Sequence, residues 1–278
     1  MTLSSSPAPG SAPVPAGTEP LLISDAGGVR TLTLNRPGAF NSFDLALKDA
    51  LLTALSAAAA SSSVRALVLT GAGRAFCAGQ DLKEHQRLVK ARDPRIATTV
   101  GEFYNVAIST ITTMRKPVIA AVNGAAAGAG AAFAYACDLR VAAASASFSA
   151  AFAGVGLSAD SGASFTLPRL VGAGRASRMM LLGERVDAAE ALRIGLVDEV
   201  LPDDGLMIRV ATLAAALADG PTSAYGWIKA SLHHAATADL GSALEFEGRA
   251  QAELFAGADH LEAIAAFVDK RRPRFVGN

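Results

Sequence analysis

The residues with the clearest chemical potential are the small residues of segment 116–130, Lys-Pro-Val-Ile-Ala-Ala-Val-Asn-Gly-Ala-Ala-Ala-Gly-Ala-Gly. An apolar run ends there in an Asn-Gly turn and passes into closely spaced glycines and alanines. These residues put no bulky side chain between the peptide and a ligand, and the first N–H groups of a following helix lack intrahelical partners. If residues 129–137 form that helix, its N-terminus favours a developing negative charge. The segment therefore has the composition of an oxyanion hole.

Two other interpretations of this segment are open. Ala and Gly repeats also let helices pack closely, and the apolar run over residues 117–137 has the length of a membrane span. A span is disfavoured, because Ala and Gly carry little transfer energy and Asn123-Gly124 marks a turn in the middle. We therefore favour an active-site loop, with close packing alone as the alternative.

The elements that must position this loop alternate between strand and helix. Residues 28–34 alternate as a half-buried strand, and residues 44–60 have the leucine spacing of an amphipathic helix. A strand over 64–70, a helix over 99–114 and a strand over 117–122 follow, which is typical of an α/β core. From residue 203 onward the sequence predicts helices over 206–217, 223–236, 240–255 and 260–270.

Composition and charge exclude several classes of function. The chain has 278 residues, 51% hydrophobic, so it can bury a large core, and its 25 basic and 25 acidic residues cancel. A neutral chain has no global field to attract nucleic acid. Cys77 and Cys137 are isolated, and the four histidines lack metal-site spacing, so we expect no metal and no disulfide. Residues 1–20, rich in Pro, Ser and Ala, are predicted to be a flexible tail on a cytoplasmic protein.

Common catalytic signatures are missing. The segment 71–81, Gly-Ala-Gly-Arg-Ala-Phe-Cys-Ala-Gly-Gln-Asp, lacks the last glycine of a dinucleotide fingerprint, and the chain contains no Gly-x-Ser-x-Gly nucleophile elbow. What remains is two separated loops rich in small residues, 71–81 and 123–130, each after an apolar strand. Two such loops can supply two N–H donors.

At these residues the chain resembles the crotonase, or enoyl-CoA hydratase/isomerase, superfamily, from about Leu32 to the C-terminus. The resemblance rests on four motifs: Leu34-Asn-Arg-Pro37, Cys-Ala-Gly-Gln-Asp-Leu over 77–82, segment 116–130, and Phe267-Val-Asp-Lys-Arg271. It implies an α/β fold, a spiral of repeated ββα units with a C-terminal helical region, and assembly as trimers or paired trimers. It also implies that the N–H groups of Gln80 and Ala129 form the oxyanion hole for a thioester enolate.

The same resemblance implies where coenzyme A binds, as part of the substrate rather than as a permanently bound cofactor. The implied CoA-binding residues are Arg36, Ala78, Asp81, Leu82 and Lys83, with Phe267 and Lys270 reaching in from a neighbouring subunit. Basic side chains suit the phosphates, and small residues let the adenine and pantetheine approach the backbone. For Lys83 a solvated helix residue is an equal alternative.

Hydratases of this family use two glutamates, and the matching positions here are Ala132 and Phe152. Hydration needs a water that is held and deprotonated in place, which an Ala/Phe pair cannot do. A carboxylate appears eight residues beyond Phe152, at Asp160, and this stretch is similar to the 1,2-epoxyphenylacetyl-CoA isomerase branch, where an Asp is the acid/base. The alternative is that Asp160 caps a helix beginning near Ser161. We expect an apolar wall including Phe152 to raise the pKa of Asp160.

The sequence therefore predicts a CoA-thioester isomerase that shifts a double bond or opens a strained ring. Ala132 and Phe152 are predicted to line the acyl pocket. The predicted organisation is a tail over 1–20, a core with the acyl-CoA site over 21–200, and a helical oligomerisation region over 201–278. The alternatives are an enoyl-CoA hydratase and a non-catalytic acyl-CoA-binding homologue.

Overall fold

The computed structural model describes residues 19–278, so the predicted tail, apart from Glu19 and Pro20, lies outside the described residues. The strands of this part of the chain are β1 (Leu21–Ala26), β2 (Val29–Leu34), β3 (Ala66–Gly71), β4 (Ala75–Cys77), β5 (Val118–Val122), β6 (Ala125–Ala127), β7 (Leu139–Ala143), β8 (Ser147–Ser149), β9 (Arg185–Asp187) and β10 (Glu199–Leu201).

The helices of the first two thirds of the chain are mostly short. They are α1 (Leu45–Ala60), α2 (Leu82–Lys90), α3 (Arg95–Thr99), α4 (Asn105–Thr113), α5 (Ala129–Ala136), α6 (Ala163–Val171), α7 (Ala173–Leu182) and α8 (Ala188–Arg193). The C-terminal helices are α9 (Leu206–Ala218), α10 (Thr222–Ala235), α11 (Leu240–Phe255) and α12 (Ala258–Val268).

The strands form two sheets. From β3 to β8 consecutive strands alternate between the sheets, whereas β1 and β2 both lie in the larger sheet and β8 and β9 both lie in the smaller one. The six-stranded sheet has the order β1-β2-β3-β5-β7-β10, and the four-stranded sheet has the order β4-β6-β8-β9. Each pair of strands is followed by at least one helix, and β3, β5 and β7 pair in parallel, as do β4, β6 and β8. The chain thus advances one strand along both sheets with every turn, which confirms the predicted spiral of ββα units.

Local sequence explains the element that opens this spiral. Asp44 caps α1 by accepting a hydrogen bond from the Leu47 N–H, as its side chain is suited to do. Leu47, Leu51 and Leu55 then recur on one face of α1 and are buried in the core.

The strands and helices predicted from periodicity are confirmed, with one irregularity. The predicted helix over 99–114 begins as a π-helical turn over Val100–Tyr104 and continues as α4, and α3 precedes it, sharing only Thr99 with the predicted range. The short strands β4, β6 and β8 were not predicted. Each has only three residues, too few to show a period of two.

The C-terminal region is helical, as predicted, and its first helix packs on the sheet. Leu206, Val210 and Ala214 of α9 form a second core cluster with Val68 and Ile119 of the six-stranded sheet. The predicted boundary between core and helical region at residue 200 therefore separates α9 from the sheet on which it packs. No helix within residues 19–278 is long and apolar enough to cross a membrane.

Candidate active site

The first predicted oxyanion loop leaves the N–H group of Gln80 free. The Gln80 N–H has no hydrogen-bond partner among residues 19–278. The N–H groups around it are all engaged, by donation from Ala78 to Phe40 O (3.0 Å), from Gly79 to Cys77 Sγ (3.4 Å) and from Asp81 to Phe43 O (3.1 Å). The flanking peptides are thus held in place while the Gln80 donor stays available.

The second loop leads into α5. Gly128 donates to Ser149 O (2.9 Å), which holds the loop to the end of β8. Ala129 is the first residue of α5, and in the described structure its N–H has no acceptor, because a helix cannot satisfy its own first donors. The positive end of the α5 dipole adds to the attraction for an anion at this point.

The two loops touch through glycines. β4 pairs in parallel with β6, so both loops leave the same edge of the four-stranded sheet. A Cβ atom on Gly79 would lie 3.2 Å from the Ala129 nitrogen, and one on Gly130 would lie 2.7 Å from the Cys77 carbonyl carbon. The two backbones can lie this close because glycine has no side chain. The loops that carry the Gln80 and Ala129 donors are therefore in direct contact.

Asp160 lies in the segment before α6 and does not cap that helix. α6 begins at Ala163 with Gly162 at its N-cap position, so the capping alternative is wrong. The Asp160 carboxylate accepts a hydrogen bond from the Ser161 hydroxyl (2.8 Å). Burial raises the pKa of Asp160 above its ordinary value, opposed by the Ser161 hydrogen bond and by the charge of Lys48. A raised pKa makes the Asp160 carboxylate a stronger base than an ordinary aspartate.

Ser161 was missed by the reasoning from sequence. It is fully buried and has a φ of 52°, in the left-handed region that residues with side chains avoid. Such strain is often found at functional sites. The conformation places the hydroxyl against the Asp160 carboxylate, although the sequence carries no signal for it.

The reasoning from sequence also missed Lys48 and Tyr104, which contact the side chain of Gln80. Lys48 Nζ donates to Gln80 Oε1 (2.8 Å), and the Tyr104 hydroxyl donates to the same oxygen. A signal for Lys48 exists in the sequence, because it precedes Leu51 by three residues and Leu55 by seven, on the face of α1 that faces the core.

The residues predicted to bind CoA fall into two groups. Arg36 forms salt bridges with Asp44 (3.0 Å) and Asp81 (2.9 Å), and Asp81 also caps α2 by accepting from the Lys83 and Glu84 N–H groups. These two charged residues hold the start of α2 beside the start of α1. The others, Ala78, Leu82, Lys83, Phe267 and Lys270, are exposed.

The two predicted acyl-pocket residues are apolar and buried. Ala132 lies in α5 with no exposed surface, and Phe152 precedes a short 3-10 turn and is 8% exposed. Neither position offers a carboxylate. Their contact with an acyl chain stays a prediction.

A separate cavity of about 480 Å³ lies between α5, α6 and α10. It is lined mainly by apolar atoms of side chains such as Tyr135, Phe165 and Leu232, and none of the predicted site residues borders it. The free N–H groups, rather than the size of a cavity, locate the candidate active site.

Comparison with known proteins is consistent with this geometry. The model of the family described as enoyl-CoA hydratase/isomerase matches residues 24–278. A protein of Rhodobacter capsulatus named a probable enoyl-CoA hydratase is 42% identical over 250 residues, covering 90% of this chain and 95% of that protein. The 1,2-epoxyphenylacetyl-CoA isomerase of Escherichia coli strain K12 is 40% identical over 250 residues, with the same coverage.

A solved structure agrees in fold. The crystal structure of enoyl-CoA hydratase from Bacillus anthracis superposes with a TM-score of 0.88 at 32% sequence identity, covering 93% of this chain and 100% of that one. The chain belongs to the enoyl-CoA hydratase/isomerase family, within the crotonase superfamily.

Proposed function

We propose that this chain is an acyl-CoA thioester isomerase, with Asp160 as acid/base and the Gln80 and Ala129 N–H groups as the oxyanion hole. The observation that carries the proposal is the pair of free N–H donors on two loops in contact, together with a partly buried carboxyl group of raised pKa. This set can bind an enolate and move a proton.

The reaction follows from these groups. The Asp160 carboxylate removes a proton from the carbon next to the thioester carbonyl of a 3-enoyl substrate, and the electron pair moves into the carbonyl. The resulting enolate oxygen accepts hydrogen bonds from Gln80 and Ala129. Asp160 then returns the proton to the far end of the conjugated system, giving the 2-enoyl thioester. No atom is gained or lost, so the mass of the substrate is unchanged.

Hydration is the second candidate, because the relatives include a protein named as a hydratase. Isomerisation is favoured over it by the side chains at 132 and 152. Alanine and phenylalanine cannot hold or deprotonate a water molecule, which leaves Asp160 as the one carboxylate proposed for the site. A hydratase would need Asp160 to perform both proton transfers and to bind the water.

The substrate is proposed to bind as a CoA thioester along Ala78, Leu82 and Lys83, with Phe267 and Lys270 supplied by a neighbouring subunit. The proposed assembly is a homotrimer or a dimer of trimers, in the cytoplasm. Binding beside the start of α2 would place the pantetheine arm next to the Gln80 loop, since Gln80 directly precedes Asp81, the N-cap residue of α2.

The test is turnover of paired 3-enoyl- and 2-enoyl-CoA substrates, followed by absorbance of the conjugated thioester and by mass. Conjugation should appear at unchanged mass, and Asp160→Asn should lose activity by on the order of 100-fold or more. Asp204→Asn, a change at an exposed turn, is the matched control and should keep full activity.

Two outcomes would contradict the proposal. A gain of the mass of water that depends on Asp160 would make the protein a hydratase. Tight binding of acyl-CoA without turnover of any substrate would indicate the non-catalytic homologue.

A further inference from the structure

Lys48 is a buried lysine beside the candidate active site. It belongs to the first turn of α1, is 3% exposed and lies among core residues. A lysine is rarely buried unless its ammonium group has partners. Here Nζ donates to Gln80 Oε1 (2.8 Å) and to Thr99 Oγ1 (2.7 Å).

Aromatic rings complete its surroundings. Nζ lies 5.1 Å from the centre of the Tyr104 ring and 5.7 Å from that of Phe103, within the range of cation–π attraction. The Tyr104 hydroxyl donates to the same Gln80 oxygen as Lys48 does. The Gln80 side chain is therefore fixed by two donors, one from α1 and one from the π-helical turn.

This anchoring bears on the free N–H group of the same residue. The Gln80 peptide is held on both sides by the hydrogen bonds of Gly79 and Asp81, and the side-chain anchor adds a third restraint. An oxyanion donor is effective only when it is aimed at the developing charge before the reaction begins. Rotation of the Gln80 peptide would turn its N–H away, and the anchor from Lys48 opposes that rotation.

Lys48 also acts on Asp160 through its charge. The charged and titratable groups around Lys48 are Asp160, Glu84 of α2, and Asp44 and Asp49 at the start of α1, with the Tyr104 hydroxyl nearby. Burial lowers the pKa of Lys48, and these carboxylates oppose that change. Besides the Ser161 hydroxyl, Lys48 is the group that favours the ionised form of Asp160, against the effect of burial.

We propose that Lys48 is a positioning residue that holds the Gln80 peptide as an oxyanion donor, and that its buried positive charge has a second role in favouring the ionised form of Asp160. It does not touch the substrate, because it is buried beneath the Gln80 loop. This inference rests on the proposed function of Asp160 and Gln80, and it adds the residue that couples them.

The experiment compares wild type with Lys48→Met, which removes both the charge and the hydrogen bonds. We expect kcat to fall about 10-fold with little change in KM, because a misaimed donor weakens transition-state binding alone. We also expect the acid limb of the kcat/KM profile to move to higher pH, since Asp160 loses the positive charge that favours its ionised form.

Lys48→Gln separates the two roles and guards against a variant that fails to fold. Its neutral amide can still bond to Gln80 or Thr99. The acid limb should therefore move as in Lys48→Met, while kcat should fall less. An acid limb at its wild-type position in both variants would overturn the electrostatic role, and an unchanged kcat in Lys48→Met would overturn the anchoring role.

Lys116→Met is the matched control for loss of a buried lysine. Lys116 is 8% exposed, and its ammonium donates to carbonyl oxygens at the end of the same helix α1, those of Ala58, Ala59 and Ser61. Lys116→Met should lower thermal stability and leave the pH dependence of kcat/KM unchanged.

If Asp160→Asn keeps full activity, the proposed function itself fails. If Asp160→Asn is inactive and the Lys48 variants behave like Lys116→Met, only the role of Lys48 is wrong.

Discussion

Asp160 holds its carboxyl group where ionisation is unfavourable. Burial raises its pKa in the folded protein above the value in an unfolded chain. Ionised Asp160 therefore destabilises the fold at every pH above its folded pKa, and this cost disappears as the pH falls through that value. Proteins commonly keep a residue of this kind because its function requires it.

Replacing Asp160 with Asn should stabilise the protein at neutral pH. The amide has the shape of the carboxyl group, can still accept from Ser161, and carries no charge to desolvate. The gain in melting temperature should shrink between neutral pH and a lower, acidic pH, because Asp160 itself becomes protonated as the pH falls. Thermal unfolding of wild type, Asp160→Asn and the control Asp204→Asn at the two pH values measures this. A lower melting temperature for Asp160→Asn at neutral pH would mean that the carboxylate is stabilised by its surroundings.

The proposed oxyanion donors were accessible to reasoning from sequence, whereas the hydrogen bonds that hold the Gln80 side chain were not. Small residues in the loops at 77–82 and 123–130, read with the family resemblance, pointed to Gln80 and Ala129. Lys48 belongs to a residue type that usually lies at the surface, so its burial depends on partners from distant parts of the chain, such as Thr99 and Gln80. Contacts of that kind arise only when the fold is formed.

At the scale of elements, the candidate site depends on the contact between the first turn of α5 and the end of β4. Gly130 lies in the first turn of α5 and faces the Cys77 carbonyl group, which ends β4. α5 is fully buried, so it cannot move aside without disturbing the core. The spacing of the two N–H donors is thus set by a helix-to-strand contact.

Gly130→Ala should break this contact. Alanine ordinarily stabilises a helix over glycine by about 0.5–1 kcal/mol, but here its Cβ would overlap the Cys77 backbone, at a cost of about 1–3 kcal/mol. We expect lower stability and a loss of turnover larger than the loss of substrate binding. Gly248→Ala in α11, where an added Cβ meets nothing within 4 Å, is the control and should gain stability. Equal stability and equal turnover in the two variants would contradict the close contact between Gly130 and the Cys77 backbone.

The order of the elements was only partly predictable. Strands β2, β3 and β5 of the six-stranded sheet carry apolar runs long enough to show their period, and β5 is buried at all five positions. The other strands of that sheet, β1, β7 and β10, were not predicted. The three-residue strands of the second sheet have no such signal, although they lead into the loops of the site. The π-helical turn that presents Tyr104 also interrupts a segment whose sequence predicts one continuous helix.

At the scale of the whole molecule, apolar side chains remain at the surface of the described chain. The most exposed of them are Phe267 (85%), Leu181 (75%), Leu240 (74%), Ile208 (72%), Val268 (72%) and Leu232 (71%). Several belong to α7, α10, α11 and α12. Apolar groups of this size favour burial in an interface between subunits, in line with the proposed trimer.

Light scattering should therefore give a mass three or six times the 28.2 kDa of the chain. Phe267→Ala should keep that mass and raise KM for acyl-CoA about 10-fold, because the ring is proposed to cover the CoA of a neighbouring subunit. Phe255→Ala, at a phenylalanine of α11 that is also exposed, should leave KM unchanged. A monomeric mass, or equal KM values in the two variants, would exclude a shared site.

Because strands alternate between two sheets, the packed core of the larger sheet is separate from the loops that carry the proposed site residues. One face of the six-stranded sheet forms a separate core with α9, while β4, β6 and β8 lead into the loops of the proposed active site. If the proposed site is correct, a change of one side chain after those short strands would replace the acid or base while the larger sheet keeps its packing. A carboxylate could then move from one loop to another, so that a new reaction arises at the same pair of N–H donors.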